Sequence, residues 1–529
     1  MRTRLAAFAL IFALAAPAVV APAVAQKRGG VLRMLDFASP ASMSIHEEST
    51  ITAGIPMMGV FNNLVVFDQH VAQNSLNSIV PDLATEWRSS EDGRELTLPL
   101  RQGVKWHDGK PFTAADVKCT WDRLRGADPD NKFRLNPRRA WYRNVADITT
   151  NGEYEVTFHL QRPQPYLIAL LASGQSPIYP CHLTPAQMRT HPIGTGPFKF
   201  VEYKPNEHIR VNRNADYWKP ERPYLDGIEY TIIPNQATWL LAFAAGKLDF
   251  AFATIPLLKD VKSQVPLAKC DVVMDNNSRD LLINPKAPPF DKPELRRAIA
   301  LSLDRKAFID TLAQGQGAVG GALLPPPDGV WGMTPEALQT LPGYGPDVVK
   351  NREEARAIMQ RLGYGPDKRL AVKLSTRNVP GYRDAAVIVL SQLREVYIDA
   401  ELEVIDTATY FPRVMRKDYT LAVEVSTGGI DDPDQKFYEN YVCGADRNLT
   451  GYCDKETDRL IDAQSMEADA DTRRHIAWEI ERRLADSASR PVLLYSRFAS
   501  CMQPAVKGLV TMTNSRFNGW RMEDVWLDR

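Results

Sequence analysis

Six cysteines, one acidic run and one glycine-rich stretch are the parts of this sequence whose residue types and spacing could do chemistry. Cys119, Cys181, Cys270, Cys443, Cys453 and Cys501 make an even set with no C-x-x-C or H-x-H spacing beside them, and the eight histidines are scattered. Zinc needs closely spaced soft ligands, so disulfides are the expected use of these thiols, with the full connectivity open from count alone. Cys443 and Cys453 lie close together in a Gly-, Asn- and Asp-rich loop and pair first; Cys119–Cys181 and Cys270–Cys501 complete the expected map. Asp431-Asp-Pro-Asp434 groups three carboxylates around a proline but lacks EF-hand spacing, and the alternative is an acidic turn. Gly315-Gln-Gly-Ala-Val-Gly320 has the G-x-G-x-x-G form, yet a helical pattern precedes it and Leu323-Leu-Pro-Pro-Pro327 follows. A dinucleotide site requires strand before and helix after, so the stretch reads as a helix end running into a loop. No G-x-S-x-G, H-E-x-x-H or P-loop occurs, and no cofactor or metal is expected.

Composition narrows the class further. The 529 residues are 44% hydrophobic and 24% charged, with 64 basic against 64 acidic side chains. Phosphate binding needs a clustered positive surplus, so nucleic acid is not an expected partner. Met1-Arg-Thr-Arg4, the apolar Leu5–Val20 and Ala23-Val-Ala25 have the three parts of a secretion signal. Cleavage is expected after residue 25. No cysteine follows the apolar run directly, so a lipid anchor is not expected, and charges interrupt every later apolar run well before the ~18 residues a span requires.

The elements that must position any site read as α/β. Val31–Leu35, Leu96–Leu100 and Tyr154–Leu160 have strand character. Thr113-Ala-Ala-Asp116 opens a helix with a capping box. Leu295–Leu312 reads as one amphipathic helix. Helices over 353–362 and 385–397, each followed by a strand (370–374, 401–405), predict a mostly parallel sheet in the C-terminal half. A late helix covers 471–485, and short strand-like pieces run through Trp520 and Trp526.

Several stretches, in order, resemble the periplasmic solute-binding proteins of ABC importers, in the family that binds dipeptides, oligopeptides and nickel (family 5). They are Pro81–Trp87, Leu100–Val117, Gly194–Phe200, Asn212–Trp218, Gly246–Asp249, Leu295–Lys306, Asp432-Pro-Asp434 and Gly451–Asp454. The resemblance implies a two-lobed periplasmic binding protein fold with an extra subdomain, mixed sheets and a hinge. Lobe I would be 26–270 plus 495–529, with the subdomain at about 70–190; lobe II would be 271–494. It implies a monomeric periplasmic protein, not an enzyme, that closes on a small-molecule ligand, a peptide or peptide-like compound, and delivers it to ABC permease subunits. The family's peptide binders place an Asp four residues before the motif proline to pair with the ligand's amine; here that position is Gly429. Either Asp431 takes over, or the ligand lacks a free amine. By family position Arg377, Tyr382 and Tyr410 lie near the cleft, Arg377 meeting a ligand carboxylate, with Asp431 and Asp432 beside Gly429 and Asn276 and Asn277 near the lobe crossover. The rival readings are a secreted hydrolase, which predicts turnover, and a chemoreceptor or chaperone-like protein, which predicts a membrane sensor partner.

Overall fold

The computed structural model describes residues 26–529 apart from Ser49 and Thr427. The expected leader, residues 1–25, lies outside the described residues. Among the described residues no helix is long and apolar enough to cross a membrane.

An eleven-stranded mixed sheet runs through the molecule. Its axis is two long strands, Lys269–Ile283 and Val492–Met502, paired antiparallel. On one side of this pair lie Phe250–Thr254, Val31–Asp36, Gly227–Ile232, His208–Arg213 and Phe198–Lys204. On the other lie Leu421–Ser426, Leu370–Arg377 and Ile398–Ile405. The expected parallel character holds where helices cross over: Leu370–Arg377 pairs parallel with both Ile398–Ile405 and Leu421–Ser426. Leu421–Ser426 meets Lys269–Ile283 antiparallel, so the whole sheet is mixed. A separate four-stranded antiparallel sheet is built from residues 88–160. Within it Leu96 and Leu98 face Phe158 and Val156, the inward half of an alternating pattern. One large apolar core, from Leu32 to Leu527, joins this small sheet to the Val31 side; a second, around Leu281, Leu374, Leu393 and Val423, fills the other half.

Local signals explain most boundaries. Helix Ala114–Arg125 starts at Thr113, whose backbone N–H donates to Asp116 Oδ2 at 3.0 Å, and stops at Gly126, with φ of +78°. The helix expected over Leu295–Leu312 is two helices, Pro293–Ser302 and Arg305–Ala313. Asp304 breaks it: its carboxylate accepts from Ala307 N at 3.1 Å as an N-cap. Gly315–Gly320 follows a helix end at Gln314 and leads into the short strand Gly317–Ala318, with no helix after it. At the C-terminus Val506–Lys507 pairs with Trp526–Leu527, whereas Trp520 lies in an irregular stretch. Side chains tie that stretch down in place of a ladder: Asn518 accepts from Gly174 N at 2.9 Å, and Arg521 reaches Asp82 at 2.8 Å and Asn63 at 3.1 Å.

All three expected disulfides are formed: Cys119–Cys181, Cys270–Cys501 and Cys443–Cys453. Cys270 and Cys501 stand opposite each other in the ladder of the two long strands.

Candidate cleft between the two halves of the sheet

Strand Leu421–Ser426 ends at a loop that leads into helix Pro433–Asn440, and this turn is met by Trp141 and Gln175. The two asparagines hold the turn to the crossover. Asn277 Oδ1 accepts from Gly428 N at 2.9 Å, and Asn276 Nδ2 donates to Ile430 O at 3.0 Å and Asn514 O at 3.2 Å. Ser515 Oγ donates to Gly429 O at 2.7 Å, and Gly429 N to Gln435 Oε1 at 3.1 Å. Both amides therefore spend bonding capacity on the loop's own backbone.

Gly429 is closely covered. A β-carbon built on it would stand 2.6 Å from Gln175 Oε1 and 3.4 Å from the Trp141 ring. Both neighbours come from the N-terminal third of the chain, and both are buried. The space that an Asp side chain would take at this position is held by the Gln175 amide.

Asp431 turns away from that space. Its Oδ2 accepts from Val330 N at 3.0 Å and Asn514 Nδ2 at 3.5 Å, and burial raises its carboxyl to about 7. Asp432 is structural: its Oδ1 accepts from Asp434 N at 2.8 Å at the head of the helix, and both its oxygens meet Arg473 at 2.8 Å. Arg473 also lies 3.3 Å from Asp434 and is stacked against Tyr166 and Trp331. Two of the run's three carboxylates thus share one arginine, and among the described residues no group of His, Cys, Asp and Glu is arranged for a metal.

Arg377 donates to Tyr382 OH at 3.1 Å and stacks on the Tyr382 and Phe411 rings. Tyr382 meets Tyr410 edge to face. Tyr410 itself is fully buried among Leu282, Val414 and Tyr419, and its hydroxyl donates to Val423 O at 2.6 Å. The structure therefore brings Arg377 and Tyr382 together at the strand ends, brings Gly429 and the asparagines together at the loop, and puts Tyr410 behind them in the core.

The sequence reading missed a second set of polar residues. Glu424, Ser426, Lys436 and Glu439 are buried in this region, together with Arg138 and Trp141, and Arg447 is half-buried beside them. Trp141 Nε1 donates to Glu439 Oε2 at 3.0 Å, and Arg447 lies 2.8 Å from Glu439. Arg447 and Arg377 both pull on the Glu424 charge, but desolvation outweighs them and raises its pKa. Charged residues in a short polar helix ordinarily mark a solvated face; here every residue of Pro433–Asn440 is buried, which the polar spacing conceals.

Comparison with known proteins agrees with this architecture. Residues 78–448 match the family described as bacterial extracellular solute-binding proteins, family 5 middle. The di/tripeptide-binding protein 1 of Pseudomonas aeruginosa is 27% identical over 429 residues, 76% of this chain and 77% of that protein. The dipeptide-binding protein of Escherichia coli K12 is 24% identical over 483 residues, 85% of this chain and 86% of that one. Among solved structures, the periplasmic binding protein DppA of Helicobacter pylori with peptide STSA superposes with a TM-score of 0.82 at 22% identity, covering 95% of this chain and 99% of that one. AgaA of Agrobacterium tumefaciens R10 with agropinic acid gives a TM-score of 0.80 at 24% identity over 94% and 99%. These two structures share a two-lobed fold with this chain, and the match over 78–448 makes the assignment: the chain belongs to the bacterial extracellular solute-binding proteins of family 5.

Proposed function

We propose that this protein is the periplasmic binding component of an ABC importer: it captures a small polar organic molecule between its lobes by closing on it, and presents it to the permease as a monomer without transforming it. Residues 26–270 with 495–529 form one lobe and 271–494 the other, with the hinge where Lys269–Ile283 and Val492–Met502 pass from one half of the sheet to the other. Closure works by differential contact, since a ligand that touches both lobes favours the closed form by the free energy of the second set of contacts. Trp141 and Gln175 from the first lobe, facing Glu439 and Gly429 of the second, are the surfaces that meet.

One observation carries the ligand reading: the close cover of Gly429 by Gln175. Several relatives are named for di- and tripeptides, whereas AgaA is seen with agropinic acid. A buried ammonium needs a carboxylate partner, and position 429 supplies none. The ligand is therefore one that does not anchor through a free amine there.

Native mass spectrometry of the mature protein, before and after denaturation, tests this. One small molecule per chain, released unaltered and lacking a primary amine, is the expected result. A mixture of ordinary peptides would overturn the amine-free reading, and conversion of an added compound to product would overturn the binding-protein reading in favour of an enzyme.

A further inference from the structure

Helix Pro433–Asn440 buries Lys436 to 4% exposure. An ammonium has three donors to satisfy, and among the described residues this one makes a single long contact, Nζ to Ser426 O at 3.5 Å. Burial lowers its pKa to about 8, and the charges acting on it are Asp280, Arg490, Glu439 and Arg447. Glu424, on the neighbouring strand, is acted on by Arg447, Arg377 and Arg490, and Arg138 by Glu439 and Arg447. Two of these pairs are already closed, Arg490–Asp280 at 2.7 Å and Arg447–Glu439 at 2.8 Å. Setting Arg377 aside, these groups are four cations, Lys436, Arg490, Arg447 and Arg138, against three carboxylates, Asp280, Glu439 and Glu424, all buried except the half-buried Arg447. Buried polar groups are normally bonded, yet Glu424 Oε2, Ser426 Oγ and Ser278 Oγ have no hydrogen-bond partner among the described residues. Ser278 and Ser426 are register partners and share a face of the sheet with the Asp280–Glu424 pair.

An excess of buried cations beside unbonded hydroxyls is the complement of an anion that also carries hydroxyl groups. We infer that the cleft binds a polyhydroxylated organic acid, its carboxylate seated on Lys436 and Arg447 and its hydroxyls on Glu424 and Ser426. The anchor is then Lys436, whereas Arg377 serves by holding Tyr382 in place. This deepens the reading of the cleft as the ligand site and rests on it.

The probes are D-gluconate, D-glucarate, the uncharged D-glucitol and L-alanyl-L-alanine, added to the mature protein in thermal-shift and calorimetric titrations. At least one of the two acids is expected to stabilise and bind while glucitol does not. Lys436→Met and Arg447→Met are each expected to weaken that acid by roughly 10- to 100-fold, the loss of a charge-assisted hydrogen bond. The unliganded melting temperature of Lys436→Met should not fall, because the substitution removes a buried charge that makes no ion pair among the described residues, and this separates lost binding from lost folding. An acid that binds Lys436→Met as tightly as the unmodified protein overturns the assignment of the anchor. Binding of the dipeptide but neither acid overturns the acidic class while sparing the binding-protein reading. Silence from all four compounds overturns the acidic class and leaves the family assignment in place.

Discussion

Arg473 has its guanidinium between two aromatic rings and two carboxylates and is fully buried. Removing one partner of a buried pair strands the other charge, at about 3–5 kcal/mol. Arg473→Ala strands both Asp432 and Asp434, so its urea midpoint should fall by an amount in or above that range, whatever ligand is present. Asp36 shows the opposite problem, a carboxyl buried at the end of the first strand with only weak hydrogen bonds. Its Oδ1 takes Ala38 N at 3.5 Å, Oδ2 has no partner among the described residues, and burial raises the group from 3.8 to about 8. Folding therefore takes up a proton at Asp36 between those two values, and this group makes the native state less stable as pH rises through that window. Asp36→Asn should raise the melting temperature at pH 8.5, with the gain shrinking as pH falls towards 4; a gain independent of pH would show that charge is not the cause.

Single elements also explain which parts of the fold and the site were legible in the sequence. The strand over 95–99 and the helix opening at Thr113 follow from alternation and a capping box, both of which act within a few residues. The break at Asp304 did not, because apolar periodicity runs straight across it from Pro293 to Ala313 and the cap is a single side chain. Asp304→Ala should cost about 1 kcal/mol in a chemical-denaturation curve, and far less if the two helices can merge. Gly429 was legible as a departure from a pattern, but its consequence was not, since Gln175 meets it from 254 positions away along the chain. The same limit hid Lys436 and Glu424: a polar residue shows its type in the sequence, whereas burial is decided by what packs on it from elsewhere. Tyr410 illustrates the converse, an aromatic near the cleft whose hydroxyl is already engaged by Val423 O in the core.

Across the whole molecule the two halves of the sheet are joined by more than the two long strands. Gln164 donates to Asp434 at 2.8 Å and Arg162 to Tyr438 OH at 2.7 Å, with Asp462 also paired to Arg162. These contacts reach from residues 162–164 to helix Pro433–Asn440, on either side of Lys436 but not to Lys436 itself. Arg162→Ala should therefore enlarge the radius of gyration of the unliganded protein in X-ray scattering and weaken every ligand by one common factor; a change in preference between ligands would count against a role in closure alone. The path of the final residues has a further consequence. Strand Phe250–Thr254 is paired on one side by Val492–Met502, and Asp249 beside it is held by Arg33 at 2.8 Å and by the last residue, Arg529, at 3.0 Å. Asp82 takes its guanidinium from Arg521. A chain made from its N-terminus thus leaves this sheet edge open, with Asp249 paired to Arg33 alone and Asp82 without Arg521, until the strand Val492–Met502 and the residues after it have been made. An open edge strand is a template for wrong pairing, so the first half to be made is the last able to finish folding, and its fate before completion depends on whatever holds the unfinished chain apart from its copies.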